Sequence, residues 1–245
     1  MIVLLACAAV LVGALIGTVG VGGILLIPAL SAFAGLDTHQ AMGTALFSFI
    51  FTGVLGTWLY QRHGSIDWHI TLPVCGGGLI AGYFGSLANA YAPAALLNLL
   101  LAGVIIFAGI YALFPAKLRT IRASASLPML FTIGAVVGFG SGLTGVGGPV
   151  LSVPLMVILG FHPLTSIATS QVIQIAAACS GSLGNLGHGF IDFQTALWVT
   201  GLELLGVFAG VRLAHTIPAS TLKKIVSIVC IIVGAFILIK TIYSL

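Results

Sequence analysis

Two glycine-rich stretches have the residue types and spacing of an anion-binding site. Gly20, Gly22, Gly23 and Pro28 near the N-terminus recur past the midpoint as Gly145, Gly147, Gly148 and Pro154. Glycine lets a helix stop inside an apolar segment, and the freed N–H groups and positive helix-dipole end bind anions without a charged side chain. The alternative is that these glycines only allow close helix packing. We favour the anion site, because both interrupted segments are also too long for one membrane crossing.

Polar side chains follow each break. Thr44, Ser48 and Thr52 are spaced four residues apart, which places three hydroxyls on one helix face. Such hydroxyls either donate hydrogen bonds to an oxyanion or bond back to their own helix carbonyls. For the amides of Gln171 and Gln174 we favour binding, because polar groups within a membrane are costly. The predicted substrate-binding residues are Gly20, Gly22, Gly23, Thr44, Ser48, Gly145, Gly147, Gly148, Thr169, Ser170, Gln171 and Gln174.

Glu203 is the one acidic residue well inside an apolar segment, since Asp37, Asp67 and Asp192 lie at segment edges. Ionisable side chains within membranes are expensive and often belong to ion pathways, so Glu203 is the candidate for carrying a coupling proton. The alternative is a neutral, hydrogen-bonded structural glutamate. The equivalent position in the first copy is Gly78, so a proton-carrying role would belong to one half only.

Composition places these residues in a membrane. The chain has 245 residues, of which 60% are hydrophobic and only 5% are charged, whereas soluble domains carry about 25% charged residues. The net charge of +4 is small and scattered, which does not favour nucleic-acid binding. Four isolated cysteines and six dispersed histidines form no recognisable metal or disulfide pattern, so no metal or cofactor is predicted. An enzyme is the least favoured class, because no nucleophile–base pair is visible.

The elements that carry these residues are eight apolar segments. They cover residues 1–34, 41–60, 68–90, 93–114, 127–159, 164–186, 193–213 and 218–243. One crossing needs about 20 residues, so most segments fit a single crossing, whereas 1–34 and 127–159 are each around a dozen residues too long. These two long segments contain the glycine breaks.

The chain is an internal duplication. An offset of 125 positions aligns the two glycine stretches, and it also aligns residues 63–67 with residues 188–192, which share the pattern HGxID. Residues 1–120 are therefore predicted to form a first transmembrane repeat and residues 121–245 a second, within one membrane domain. Such duplications are typical of secondary transporters.

Basic residues predict how the two repeats are oriented. If each broken segment crossed once, the repeats would be parallel and the eight Lys and Arg residues would divide five to three between the faces. If each broken segment re-enters or crosses twice, the second repeat is inverted and only Lys240 lies opposite the others. The positive-inside rule favours the second count. We predict an all-α polytopic membrane protein of two inverted-topology repeats, with linker 115–126 in the cytoplasm and both termini outside.

The shared HGxID loops are explained by local structure. Asp67 and Asp192 each precede a helix and are predicted N-caps. His63 and His188 are predicted to anchor the same loops, with gating as the less favoured alternative. In the inverted arrangement the two loops lie on opposite faces and cannot form one metal site.

The glycine segment GxGGxxxxP, the hydroxyl-bearing helix after it and the GxID element resemble the sulfite exporter TauE/SafE family, also called transmembrane sulfur-compound transporters. The resemblance covers essentially the whole chain. It implies a permease of the prokaryotic inner membrane that moves small sulfur-containing anions such as sulfite, thiosulfate or sulfonates, coupled to the proton gradient. In this chain the second proline is shifted by one place and Pro149 replaces Ile24 within the break, so the two half-sites are predicted to differ.

Three functions are compatible with these residues. The leading hypothesis is a secondary transporter with alternating access around a site near the bilayer midplane, whose partners are the sulfur anion, protons and the lipid bilayer. The second is an anion channel that uses the same site without alternation. The third is a membrane subunit that delivers sulfur species to a partner enzyme. Flux that depends on pH and is lost in Glu203→Gln would favour the transporter.

Overall fold

The computed structural model describes residues 2–19, 22–113, 125–213 and 219–244. The first half consists of α1 (Ile2–Val19), a 3₁₀ turn (Gly22–Leu25), α2 (Leu26–Ala29), a π-helical turn (Leu30–Ala34), α3 (Thr38–Arg62), α4 (Trp68–Tyr91) and α5 (Ala94–Leu113). The second half consists of α6 (Leu127–Thr144), α7 (Gly148–Ile158), α8 (Pro163–Leu186), α9 (Phe193–Leu213) and α10 (Ala219–Ser244). The described residues contain no β-strand, and the prediction of an all-helical chain is confirmed for them.

Five of the described helices are long and apolar enough to cross a membrane. They are Thr38–Arg62, Trp68–Tyr91, Ala94–Tyr111, Leu127–Thr144 and Phe193–Gly210. An 18-residue helix rises about 27 Å, close to the ~30 Å thickness of the hydrocarbon core. With 60% hydrophobic residues, the chain is a multi-pass helical membrane protein.

The second glycine stretch separates α6 from α7. Gly145, with a φ of 69°, ends α6 and donates its N–H to the Ser141 carbonyl at 2.8 Å. Gly147, with a φ of 85°, is the N-cap of α7, and Pro149 lies in the first turn of that helix. Residues with a Cβ rarely adopt these positive φ values, so glycine is required for the change of direction. Proline is favoured in a first turn, where its missing N–H would have no intrahelical acceptor.

The first glycine stretch leads into an irregular helical segment. α1 ends at Val19, and residues 20 and 21 lie outside the described residues. The chain then passes through the 3₁₀ turn, α2 and the π-helical turn before Gly35, with a φ of 73°, ends the segment. Pro28 lies in α2 and has no N–H to donate to the carbonyl four residues earlier, which weakens a regular helix at this point.

The two halves have the same order of elements. Adding 125 to the bounds of α1 gives the bounds of α6. Adding 125 to the first residues of α3, α4 and α5 gives the first residues of α8, α9 and α10. The duplication seen in the sequence therefore extends to the helix boundaries.

Close packing joins α1 of the first half to α9 of the second. A Cβ on Gly13 would lie 2.8 Å from the Cα of Glu203, and a Cβ on Gly17 would lie 3.1 Å from the Cα of Val207. Small residues let membrane helices approach this closely. Because the contacts occur in the same order along both helices, α1 and α9 run parallel to each other.

The equivalent contact joins α6 to α4. A Cβ on Gly138 would lie 2.6 Å from the Cα of Gly78, and a Cβ on Gly142 would lie 3.1 Å from the carbonyl carbon of Gly82. These four positions are the repeat equivalents of those at the α1–α9 contact. Each half therefore gives its first helix to a pair with the other half, and the two halves form one interlocked body.

A core cluster joins the two helices of the second broken segment. Leu130 and Ile133 near the start of α6, Met156 near the end of α7 and Phe161 beyond it belong to one cluster of buried apolar side chains. The two helices on either side of the glycines therefore contribute to the same part of the core.

Candidate substrate-binding site

A small cavity lies where the two glycine stretches meet. It has a volume of about 10 Å³, about the space of one water molecule, and is lined by Ile16, Gly23, Phe49, Val146, Pro149, Val150 and Gln174. Gly23 comes from the first break, and Val146, Pro149 and Val150 come from the second. Phe49 and Gln174 lie near the middle of α3 and α8, so this central cavity is about halfway along the two helices.

Phe49 fills the space between the two breaks. A Cβ on Gly23 would lie 2.8 Å from the ring Cζ, and a Cβ on Gly147 would lie 3.0 Å from the ring Cδ2. Any side chain at either glycine would therefore displace the ring. Conversely, an anion that binds between the breaks requires the Phe49 ring to move aside.

Gln174 occupies the position equivalent to Phe49. Its Nε2 donates hydrogen bonds to the Phe49 carbonyl and to the Thr52 Oγ1, each at 2.9 Å. A residue of the second half therefore contacts its own repeat equivalent at the middle of α3 and α8. A Cβ on Gly148 would lie 3.0 Å from the backbone nitrogen of Gln174. Gly148 is the repeat equivalent of Gly23, so each of these two glycines packs against the residue at the Phe49 or Gln174 position of its own half.

The start of α7 lies at the cavity, which Pro149 and Val150 line. Gly147 provides no side-chain cap, and the first N–H groups of a helix have no intrahelical acceptor. These N–H groups carry the positive end of the helix dipole. A small oxyanion is the chemical species that such a helix end binds without a cationic side chain.

Several predicted site residues lie beside this cavity without lining it. The Thr44 hydroxyl accepts a hydrogen bond from the Asp192 N–H at 3.0 Å and so joins α3 to the loop before α9. Ser48 donates to the Ala45 carbonyl at 2.8 Å, and Ser170 donates to the Ile167 carbonyl at 2.6 Å, as expected for hydroxyls that bond back to their own helix.

Two further predicted residues lie on α8. The Thr169 hydroxyl is 3.0 Å from the Thr71 hydroxyl of α4. Gln171 is 2% exposed, its Oε1 lies against Gly56, and its Nε2 has no hydrogen-bond partner among the described residues. Gln171 therefore retains an unused donor in the protein interior, although it does not line the central cavity.

The remaining predicted glycines are placed as follows. Gly20 lies outside the described residues. Gly22 begins the 3₁₀ turn, and Gly145 ends α6 with its Cα packed toward α3, where a Cβ would lie 2.7 Å from the Cα of Met42. Of the twelve predicted residues, Gly23 and Gln174 line the cavity. Gly147 packs against Phe49 and Gly148 packs against Gln174, and both of these partners line the cavity.

Glu203 is fully buried in α9, at 0% exposure. The Ser48 hydroxyl of α3 lies beside the carboxyl, but its proton is directed to the Ala45 carbonyl. Both carboxyl oxygens consequently have no hydrogen-bond partner among the described residues. A buried, unpartnered carboxylate is costly, and protonation removes that cost.

Sequence reasoning missed Phe49, which appeared as one of many aromatic residues in apolar segments. A signal was present in the duplication, because the offset of 125 pairs Phe49 with the predicted site residue Gln174. Its ring position could not be inferred from this pairing, since it depends on how α3 packs against both breaks.

The loop predictions are confirmed. Asp67 accepts a hydrogen bond from the His69 N–H at 3.0 Å, and Asp192 accepts one from the Thr195 N–H at 3.1 Å, as N-caps do. The Nδ1 of His63 lies 2.8 Å from the Leu59 carbonyl. In the second loop, the Nδ1 of His188 lies 3.0 Å from the Gly184 carbonyl.

Known proteins similar to this chain are named as probable membrane transporters. A family model described as sulfite exporter TauE/SafE matches residues 5–237. Probable membrane transporter protein YdhB of Bacillus subtilis (strain 168) is 28% identical over 236 residues, which cover 93% of this chain and 96% of the relative. Probable membrane transporter protein YunE of the same organism is 27% identical, covering 96% and 98%. Probable membrane transporter protein YfcA of Escherichia coli (strain K12) is 26% identical, covering 96% and 87%. No solved structure matches the chain.

The family match covers both halves of the chain. It includes the two glycine breaks, every residue that lines the central cavity, and Glu203. The resemblance inferred from the glycine motifs is therefore confirmed, and the chain belongs to the sulfite exporter TauE/SafE family.

Proposed function

We propose that this protein is a secondary transporter of small sulfur-containing anions, with a substrate site between the two glycine breaks. The observation that carries the proposal is the central cavity, which both breaks line together with Phe49 and Gln174. Residues far apart in sequence would meet here only if both halves contribute to one site. The relatives named as probable membrane transporters, and the family description as sulfite exporter, support the transport of a sulfur oxyanion.

The substrate would be held by neutral donors. Among the described residues that line the cavity there is no Lys, Arg or His. The binding groups are the N–H groups at the start of α7 and the equivalent groups near Gly23. Such donors stabilise an anion strongly in a low-dielectric interior, yet they leave no unpaired charge when the site is empty. Gln174 supports them, because its two Nε2 hydrogens go to the Phe49 carbonyl and the Thr52 hydroxyl and hold α8 against α3.

We assign the two halves an inverted arrangement. In it α6 and α7 enter and return on one side of the membrane, and α8, α9 and α10 are three crossings of the second half. An odd number of crossings turns the second copy over relative to the first. This topology is compatible with the parallel pairs α1–α9 and α4–α6. It places the start of α1 and the end of α10 on the face opposite the linker. With the positive-inside rule, the linker is cytoplasmic in the inner membrane and the termini are outside.

Proton coupling is assigned to Glu203. Its carboxyl is buried beside the Ser48 hydroxyl and lacks a hydrogen-bond partner among the described residues. Ser48 precedes Phe49 in α3. A change in the charge of Glu203 would therefore act on the helix that carries the Phe49 ring, and this physically links proton uptake to opening of the central cavity.

Flux through reconstituted protein tests the proposal. Purified protein in liposomes is given sulfite, thiosulfate or an alkanesulfonate, with and without an imposed pH gradient. The expected result is saturable flux that the gradient stimulates in the wild type and not in Glu203→Gln. Flux that rises without saturation and ignores the gradient would replace the transporter with a channel, and no flux of any of these anions would contradict the substrate class.

A further inference from the structure

A second, larger cavity lies beside the first break. It is bounded by the π-helical turn, the start of α3, the start of α5 and the end of α10, and it encloses about 1240 Å³ of empty space including its open mouth. We call this space the side vestibule. Ile27 and Pro28 line it, whereas Gly23, one helical turn earlier, lines the central cavity. A single stretch of the first broken segment therefore separates the two spaces.

Two vestibule positions are closed in the second half. Ser31 lines the side vestibule and is exposed, whereas its repeat equivalent Met156 is 0% exposed. Leu36 also lines the vestibule, and its equivalent Phe161 is buried in the cluster with Leu130. At these two described positions the space that is open in the first half is occupied by large apolar side chains in the second.

The vestibule has a cationic end and an apolar wall. Among the described residues that line the vestibule, Lys240 is the one Lys or Arg. Its side chain is exposed and makes no ion pair with any described residue. The carboxylate of Asp37 also lines the space, but its Oδ1 accepts the Gln40 N–H at 2.9 Å as a helix cap. Phe236 and Leu101 provide apolar surface close to these groups.

Thr38 and Asn98 add neutral polar groups to this wall. The Asn98 Nδ2 donates to the Thr38 Oγ1 at 3.2 Å. A bare oxyanion would keep its hydration shell in so wide a space. An anion that carries a short alkyl group gains more, because its head is attracted to Lys240 while its apolar part is removed from water.

We infer that the side vestibule is the chamber through which substrate enters and leaves in this conformation, and that it takes small organic anions such as alkanesulfonates, with Lys240 as the attracting cation. The broken segment 22–34 is then the barrier between the chamber and the central cavity. The role of the side vestibule as a route for substrate rests on the proposed transport function. Its access to water and its preference for anions can be tested without that function.

Cysteine labelling tests access. Cys7, Cys75, Cys179 and Cys230 are replaced by Ala, and Ser31→Cys is compared with the matched variant Met156→Cys in protein that remains monodisperse. A water-soluble anionic methanethiosulfonate should modify Ser31→Cys and Ala32→Cys readily and Met156→Cys at least about tenfold more slowly, since a buried side chain is reached only after local opening. Equal labelling of Ser31→Cys and Met156→Cys would overturn the open and closed assignment.

The role of Lys240 is tested in the same background. The rates of labelling of Ser31→Cys by anionic and cationic methanethiosulfonates are compared before and after Lys240→Gln. Removal of a nearby unit charge should change the two rates in opposite directions, so the anion-to-cation ratio should fall several-fold. An unchanged ratio would remove Lys240 from the proposal.

Protection identifies the ligand. Propanesulfonate should slow the labelling of Ser31→Cys more than sulfate does at equal ionic strength. Protection by anionic lipid in the liposomes, with none by propanesulfonate, would make the space a lipid site and overturn the inference. Because labelling needs no transport, intact labelling without flux would contradict the transporter alone, and flux without labelling would contradict the vestibule alone.

Discussion

Two equivalent helix contacts in this molecule carry opposite chemistry. At one contact between the halves, Glu203 of α9 lies beside Ser48 of α3. At the equivalent contact, Gly78 of α4 replaces Glu203 and Ile173 of α8 replaces Ser48. A Cβ on Gly78 would lie 2.8 Å from the Cγ1 of Ile173. The backbone arrangement is shared, but a carboxyl and a hydroxyl on one side correspond to a hydrogen and an aliphatic side chain on the other.

The same contrast occurs at the centre. Phe49 and Gln174 are equivalent positions, and both contact a break glycine, yet one offers an apolar ring and the other an amide donor. The two halves thus share their helix boundaries but carry different side chains at equivalent positions, and in the proposed function anion binding and proton uptake belong to different positions of this shared scaffold. The variants below test this division, from the largest expected effect to the smallest.

Gly147→Leu should reduce transport by about 100-fold or more while the protein remains inserted. A residue with a Cβ at a φ of 85° is strained, which costs of order 1–3 kcal/mol, and its side chain would push into the Phe49 ring. The equivalent variant Gly22→Leu should be similarly inactive. Flux in liposomes measures the effect, with Gly201→Leu as the control because a Cβ there meets nothing within 4 Å. Normal flux in Gly147→Leu would reduce the breaks to packing devices.

Glu203→Gln should remove the response to a pH gradient, a loss of roughly tenfold in gradient-driven flux, and should leave exchange at equal pH largely intact. Gln has nearly the same shape but cannot take up and release a proton at this position. Thr200→Val, buried in the same helix, is the control and should keep the response. If both variants respond to the gradient as the wild type does, the carboxyl is structural and the two helix contacts do not differ in function.

Gln174→Met should raise the KM for the anion about tenfold with a smaller change in kcat. It removes the two hydrogen bonds that hold α8 against α3 beside the cavity, each of which contributes about 1 kcal/mol, so the backbone donors around the anion are less well aligned. Phe49→Leu on the other half should instead enlarge the cavity and weaken discrimination against larger anions. Concentration-dependent flux separates the two results, with Ser180→Ala as the control because Ser180 bonds to its own helix at Ala177. Identical effects of the Phe49 and Gln174 variants would contradict the proposed division.

Asp192→Ala should destabilise the protein by about 1 kcal/mol, and Asp67→Ala should cost less. Asp192 accepts hydrogen bonds from both the N–H and the Oγ1 of Thr195, whereas Asp67 accepts one from the His69 N–H. Thermal unfolding in detergent measures the difference. A larger loss for Asp67→Ala would show that the contacts of the first loop, and not the caps, dominate.

Much of the helical framework could be predicted from the sequence, because a membrane segment must satisfy its own backbone and is therefore apolar, long and helical. Predicted segment 127–159 corresponds to α6 and α7, and predicted segment 193–213 corresponds to α9. Local signals also worked for Asp67 and Asp192, since an N-cap bonds within its own first turn. The hydroxyl stripe was less informative, because Ser48 and Ser170 bond to carbonyls of their own helices.

What the sequence by itself determined is the set of helices, the duplication at an offset of 125 and the family, since these depend on composition and on residues close together in the chain. The tertiary structure alone decided that Phe49 lies between the two breaks, that Gln174 bonds to its own repeat equivalent, and that Ser31 and Leu36 line a vestibule while their equivalents Met156 and Phe161 are buried. The physical reason is that these features depend on which side chains fill the space between packed helices, and equivalent positions with different side chains fill that space differently.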